Sequence, residues 1–191
     1  MIQGQVTVGL AGGSGAGKST IAALLVEDLK PLTVQVIGLD RFFRPAAELP
    51  TYFSSLHGEG QPDYNRPDSL FEEEMVRICS VPAEADVVIL DGHMSLHYQR
   101  LRAIMDVKCF VDAEIEDMMT RRTKRNLEAG YGGDLDTILH YNRECVLPGY
   151  QRYIEPSRAH ADVVIDNRGD ATDRALGIED ACNRIREAAD R

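Results

Sequence analysis

The sequence predicts an α/β protein built on a parallel sheet, and three observations carry that expectation. Short β-rich runs alternate with stretches of helical spacing, a glycine loop joins the first run to the first helix, and two later runs end in a carboxylate. Alternation of this kind implies right-handed crossovers and a sheet with both faces covered.

The first run, Val6-Thr7-Val8-Gly9-Leu10, leads into Gly12-Gly13-Ser14-Gly15-Ala16-Gly17-Lys18-Ser19, which fits G-x-x-x-x-G-K-[ST]. Phosphates must be ringed there by successive backbone N–H groups, and side chains would hold the chain too far away. Gly13, Ser14, Gly15, Ala16, Gly17, Lys18, Ser19 and Thr20 are therefore the candidate nucleotide-binding residues. Lys18 would reach the β- and γ-phosphates, Ser19 would offer its hydroxyl to Mg2+, and the helix N-terminus would add positive partial charge. A flexible linker would need neither the Lys-Ser pair nor the flanking strand and helix.

Ile21, Leu24, Leu25 and Leu29 have the spacing of one buried helix face, and Pro31 stops that helix. Val34 to Leu39 reads as the second strand and ends in Asp40, whose carboxylate would point into the crevice where such sheets bind ligands. Residues 41–67 are aromatic, Pro- and Gly-containing and without period, too long for an idle connection, and read as a segment covering the substrate. Asp68 or Ser69 is the expected cap of a helix to about Ser80, with Glu72, Glu73 and Glu74 in its early turns. Val87-Val88-Ile89-Leu90 reads as a fully buried strand whose tip, Asp91, is a Walker B carboxylate for Mg2+. A short helix from His97 to about Met105, a strand Val107 to Val111 and a helix from Glu114 to about Ala129 follow. Gly130-Tyr131-Gly132-Gly133 breaks that helix, and Asp134 starts another lasting to about Leu147, before Pro148. Val163-Val164-Ile165 is the last strand, and Thr172 is the expected cap of the C-terminal helix.

A chain of 191 residues is one ordinary domain, expected to span 1–191 with a single core. The cysteines, Cys79, Cys109, Cys145 and Cys182, are widely spread, which argues against a zinc cluster and suits buried thiols in a reducing cytosol. The start, Met1-Ile2-Gln3-Gly4-Gln5, lacks the basic and apolar regions of a leader, and no apolar run is long enough to span a membrane. The expected location is the cytoplasm. A formal net charge of -10 argues against nucleic-acid and anionic-membrane partners, so any anion must sit in a local basic pocket.

The glycine loop, Asp40, Asp91 and the basic helix end around Arg122 fall, in this order and at strand ends, in a pattern that resembles the uridine kinase and phosphoribulokinase family of P-loop kinases. The resemblance continues through Gly38-Leu39-Asp40-Arg41-Phe42-Phe43, Tyr64-Asn65-Arg66-Pro67-Asp68, Phe110-Val111-Asp112 and Arg121-Arg122-Thr123-Lys124-Arg125-Asn126, and ends in Tyr153-Ile154-Glu155-Pro156-Ser157 and Ala161-Asp162-Val163-Val164-Ile165. It implies a three-layer P-loop NTPase fold with a five-stranded parallel sheet in the order 2-3-1-4-5, helices on both faces and a small helical lid at about 121–143. It implies ATP and Mg2+ as cofactors and a small-molecule alcohol as acceptor, typically a nucleoside of the uridine or cytidine kind. Homo-oligomer formation is compatible with it. Asp40 matches the general base, and an alcohol nucleophile does have a proton to lose. A loop cap or an ion pair with Arg41 is the competing reading of Asp40. Arg122 and Arg125 match arginines that close on the transferring phosphoryl group, and their i,i+3 spacing shares one helix face, although a solvated basic helix end is the competing reading. Arg121 and Lys124 fall on the outer face. Phe43, Tyr64, Asn65 and His93 are the further candidates for binding the acceptor, and the aromatic stretch with Phe42, Phe43, Tyr52, Phe53 and Tyr64 could form a different acceptor wall, although aromatic residues are as often core as pocket. His93 and His97 could instead start the following helix and bond to backbone.

The pattern departs from the family at four points. Family members carry a pyrimidine-reading β-hairpin before the Walker B strand, whereas this chain has only Ser80-Val81-Pro82-Ala83-Glu84-Ala85-Asp86. The lid's Arg-Gly-Arg triplet is replaced by residues 128–133, Asn65 stands for a ribose-binding aspartate, and Asp91 stands where relatives often place a glutamate. The expected activity is ATP-dependent phosphorylation of a nucleoside or related ribosyl hydroxyl. A kinase of a non-nucleoside alcohol, such as a sugar, pantothenate-like or glycerate-like compound, is one alternative. A nucleotide-binding regulator without an acceptor is the other, although no N-K-x-D occurs and Asp91-Gly92-His93-Met94, after the third strand, is not the D-x-x-G of GTPases.

Overall fold

Parallel pairing of five strands organises the computed structural model, which describes residues 4–191. Met1, Ile2 and Gln3, on which the reading of a leaderless start partly rests, lie outside the described residues. The strands are β1 (Val6–Ala11), β2 (Val34–Gly38), β5 (Val87–Asp91), β6 (Val107–Asp112) and β7 (Val163–Asp166). Between β2 and β5 the chain forms β3 (Thr51–Ser54) and β4 (Glu59–Pro62), an antiparallel hairpin separate from the main sheet. The sheet order β2-β5-β1-β6-β7 is the expected 2-3-1-4-5 arrangement of the five sheet strands. It puts β1 and β5 in the middle, where a parallel strand must be apolar on both faces, and Val87, Val88, Ile89 and Leu90 are each at most 3% exposed.

Helix α1 (Lys18–Asp28) packs against α7 (Ala171–Ala189), while α2 (Glu72–Cys79) packs against α3 (Gln99–Arg102), so helices cover the sheet in the three-layer P-loop fold. Ile21, Ala22, Leu25 and Leu29 form the buried face of α1, but Leu24 is half-exposed. Edge strand β2 is only partly covered, with Val36 exposed, because one of its sides has no neighbour. Phe110 on β6 is fully buried, and all four cysteines are buried free thiols.

Several local expectations are corrected. Asp68 and Ser69 do not cap α2: Asp68 pairs with Arg66 at 2.8 Å, Ser69 Oγ donates to the Arg66 carbonyl, and a 3-10 turn over Pro67–Ser69 delays the helix to Glu72. Asp170, not Thr172, caps α7, its carboxylate accepting from the Thr172 N–H at 2.7 Å. The helix α3 spans only Gln99–Arg102. Helix α4 (Ile115–Ala129) ends at Gly130 in a left-handed conformation, and α5 (Leu135–Tyr141) follows, capped by Asp134. Pro148 does not end the helical path, which continues through π-turns at Asn142–Val146 and Tyr150–Ile154 on either side of α6 (Leu147–Gly149). Wide i→i+5 turns accommodate a residue that lacks an N–H and would clash in a tight α-helix.

Phe110→Ala should cost about 3–5 kcal/mol, since a large side chain at the centre of the sheet leaves a cavity that rigid neighbours cannot close. Urea unfolding should show a lower midpoint at an unchanged slope.

Candidate active site

The loop after β1 is locked from two sides. Gly15 has φ +89°, and a Cβ there would stand 2.2 Å from the Met118 carbonyl oxygen of α4; Gly17 has φ +96°, and a Cβ there would meet the Asn167 amide at 2.6 Å. Asn167 Nδ2 in turn donates to the Ala16 carbonyl at 2.7 Å. Only glycine fits both the left-handed backbone and the close approach. Lys18 Nζ donates to the Gly12 and Gly13 carbonyls at 2.9 and 3.1 Å. Burial holds the Lys18 amine below its ordinary pKa, against the pull of Asp91 and Asp40. Ala16 is buried, and Thr20 is exposed in the first turn of α1.

Ser19 Oγ donates to Asp91 Oδ2 at 3.2 Å, so the hydroxyl and the β5 carboxylate share one spot. Burial raises the Asp91 pKa, and Lys18 and Ser19 oppose it. Two hard oxygen donors beside a phosphate-binding loop fit Mg2+, which keeps waters and substrate phosphates as its other ligands. Among the described residues there is no group of three or more His, Cys, Asp or Glu able to hold a metal by themselves, as such a shared site does not require.

The opposite wall comes from α4 and the turn after α5. Arg125 Nη2 donates to Ser14 Oγ at 3.1 Å, bridging helix and loop. Arg122 is half-buried, donates through Nη1 to Asn142 Oδ1 at 3.0 Å, and stands over the Tyr141 ring at 5.4 Å. With the Asn126 amide oriented oxygen-inward, it accepts from the same Nη1 at 2.9 Å. Arg122 Nε has no hydrogen-bond partner among the described residues. Arg122 is thus no solvated helix end, whereas Arg121 pairs outward with Asp117 and Lys124 with Glu128.

Asp40 lies in a 3-10 turn directly after β2, with its side chain 78% exposed. It makes no ion pair with Arg41, whose guanidinium lies over Phe42; the charged-form partner nearest to it is His93 Nδ1 at 3.9 Å. His93 stacks on Phe43, and Phe43 meets the edge of Tyr64. His97 bonds the Tyr153 carbonyl through Nδ1 and lies outside this group. Phe42 is core, and Phe53 points to solvent at 70% exposure. Asn65 is buried, its amide donating to Tyr141 Oη and the Cys145 sulfur, so its N–H groups are already engaged by protein.

One cavity of about 980 Å3 brings together Lys18, Ser19, Asp40, Asp91, Arg122 and Arg125 with Phe43, Tyr64, Asn65 and His93. Tyr52 of the aromatic stretch lines it too, on the β3–β4 hairpin, as do residues that the sequence did not mark: Gln61 of the hairpin, His57 of its turn, Tyr131 and Tyr141. The family model described as phosphoribulokinase / uridine kinase matches residues 57–173. The chain belongs to this family of P-loop phosphotransferases. It is 26% identical over 184 residues to a uridine kinase of Bacillus pumilus, covering 86% of this chain and 87% of that one. It is also 26% identical over 210 residues to uridine-cytidine kinase A of Dictyostelium discoideum, covering 97% of this chain but only 40% of that longer protein. In fold it is similar to a possible uridine kinase from Bacillus stearothermophilus, with TM-score 0.58 and 15% identity over 86% of this chain and 90% of that one. A shikimate kinase from Bacteroides thetaiotaomicron is also similar, with TM-score 0.52 and 18% identity over 97% and 99% of the two chains. Among the described residues no helix is long and apolar enough to cross a membrane.

Burial lowers the His93 imidazole to about 3, with the Lys18 charge acting in the same direction, so the ring is neutral near pH 7. Between its unfolded value near 6.5 and about 3 the unfolded chain binds more protons, so stability should fall as pH drops through that window. His97 is shifted the same way and adds to the effect. His93→Gln should flatten the acid side of a plot of Tm against pH; an unchanged slope would contradict a buried neutral ring.

Proposed function

We propose that the protein transfers the γ-phosphoryl group of ATP to a hydroxyl of a nucleoside or related ribosyl compound. The observation that carries this reading is the convergence of Lys18, the Ser19–Asp91 pair, Arg122, Arg125 and an exposed Asp40 carboxylate on one cavity. The family and its uridine kinase relatives support it.

In this reading the loop Gly13 to Ser19 and Thr20 cradle the nucleotide phosphates, and Lys18 leaves the Gly12 and Gly13 carbonyls for the β- and γ-oxygens. Ser19 and Asp91 would hold Mg2+, which would supply charge neutralisation of the phosphates. Asp40 accepts the acceptor hydroxyl's proton as its oxygen bonds to the γ-phosphorus and the bond to the ADP oxygen breaks. Arg122 and Arg125 neutralise charge on the phosphoryl oxygens in flight, on a segment, 121–143, that acts as a lid. Phe43, Tyr64, Asn65 and the neutral His93 border the acceptor within the covering segment 41–67. The acceptor side beside Asp40 is lined by Phe43, Tyr64, Asn65 and His93 rather than by arginines, which suits an uncharged alcohol better than a phosphate-bearing acceptor.

Asp40→Asn should lower kcat roughly 10^2- to 10^4-fold, because the substituted amide cannot take the proton, while ATP binding by calorimetry persists. Normal turnover of this variant would refute the base assignment. Arg125→Ala should lower kcat with little change in acceptor KM, since its guanidinium faces the loop Ser14 and not the hairpin side. Steady-state ADP release measures both.

A further inference from the structure

The β3–β4 hairpin has no role in phosphate chemistry, yet it forms a wall of the same cavity. Its register pairs Tyr52 with Gln61 and Ser54 with Glu59. Side chains alternate along a strand, so Tyr52, Ser54 and Gln61 share one face and Phe53 belongs to the other. Burial agrees: Ser54 is 1% exposed and Phe53 70%. Tyr52 and Gln61 therefore look inward as a directly opposed pair.

This wall is fixed and not a loose flap. Ser55 donates to the Glu144 carboxylate through both its N–H and its hydroxyl, and the Asp63 N–H donates to the Pro50 carbonyl at 2.8 Å across the hairpin base. Tyr52 meets Tyr141 edge-on at 5.4 Å between centroids, and the Tyr141 hydroxyl accepts from the Tyr64 N–H and the Asn65 amide. Gln61 makes one side-chain bond, from Nε2 to Glu59 Oε1 at 3.1 Å, which leaves its carbonyl oxygen and second N–H without a partner among the described residues.

The charge along the cavity is uneven. Lys18, Arg122, Arg125, Asp40 and Asp91 gather at the loop end, whereas the hairpin strands line the cavity with the Tyr52 ring and the Gln61 amide, Glu59 being exposed and outside the lining and His57 sitting on the exposed turn. An amide presents an acceptor and a donor side by side, the complement of an N–H/C=O edge on a flat ring. We propose that Tyr52 and Gln61 select the acceptor by binding a planar, uncharged heterocycle with such a lactam or carboxamide edge, the ring packed on Tyr52 and the edge on Gln61. This assignment rests on the kinase reading above. It gives the nucleoside base a reader in a chain whose Ser80–Asp86 link is too short to supply one, and it places that reader on a different segment.

The test compares uridine, cytidine and free ribose as acceptors in steady-state assays with saturating ATP. Gln61→Leu should raise the KM of the preferred nucleoside roughly three- to tenfold, the worth of one or two neutral hydrogen bonds. Tyr52→Ala should raise it about as much, and Tyr52→Phe should restore it because the ring face is kept. ATP KM and kcat should stay near wild type, the preference for nucleoside over ribose should fall, and the outward-facing Phe53→Ala should change nothing. Unaltered ATP KM and melting temperature show that the variants are folded. Wild-type turnover of a nucleoside with no change of acceptor KM or preference in Gln61→Leu and Tyr52→Ala overturns the hairpin assignment alone. Turnover of ribose with neither nucleoside accepted also overturns the hairpin assignment alone, whereas absence of wild-type turnover with all three acceptors overturns the kinase reading, and the hairpin assignment with it.

Discussion

The parallel register of three strands sets the whole site. Pairing of β1 with β5 puts Leu10 level with Asp91, and pairing of β2 with β5 puts Gly38 level with the same Asp91. The three strands therefore end on one line, and everything that follows them emerges at one edge: the glycine loop after β1, Asp40 after β2 and His93 after β5. A slip of two residues in either ladder would move one of these groups by roughly 7 Å, beyond any hydrogen bond. Apolar side chains on both faces of β5 hold the register, because a shift would drag Val87 to Leu90 out of pockets shaped for them. Chemistry at the edge depends on packing in the centre.

That edge gathers three cations and two carboxylates around one cavity in a chain whose formal net charge is -10. Lys18, Asp91, Asp40, Arg125 and Arg122 feel one another, and burial pushes Lys18 and Arg122 down and Asp91 up. Each buried charge disfavours its own ionised form but favours that of an oppositely charged neighbour, so a nucleotide's phosphates would relieve the cationic side as they enter. The Lys18 contacts with the loop carbonyls serve the same purpose within the protein, satisfying a buried ammonium with the nearest oxygens.

What sequence pattern made legible is what depends on local geometry. The glycine loop, the carboxylates at strand tips and the buried run before Asp91 are each written within a few neighbouring residues, and so is the αL stop at Gly130. The sheet order came from family resemblance and agrees with the observed pairing. The hairpin escaped because its strands, Thr51–Ser54 and Glu59–Pro62, are four residues each and carry Gly60 and Pro62, which mask period-2 alternation. Asn142 and Tyr141 escaped for another reason: they meet Arg122 across some 20 residues of chain, at the junction of α5 with a π-turn, and no local signal marks such a contact. Asp68 misled because its carboxylate has two suitors, the α2 N–H groups and the Arg66 guanidinium, and the charged one wins.

A single side chain, Tyr141, links the halves of the cavity. Its ring lies under Arg122 and against Tyr52, while its hydroxyl accepts from Tyr64 and Asn65. The loop end and the hairpin end therefore share one half-buried aromatic, and motion of the helix that carries it must be felt at both. Burial also raises the Tyr141 phenol far above its ordinary pKa, so the hydroxyl stays neutral and the cation above it meets a ring rather than an anion. A phenolate there would pair with Arg122 and compete with phosphoryl oxygens for the guanidinium. With that ring neutral, Arg122 keeps its bonds to Asn142 and Asn126 and an Nε–H that no described residue claims.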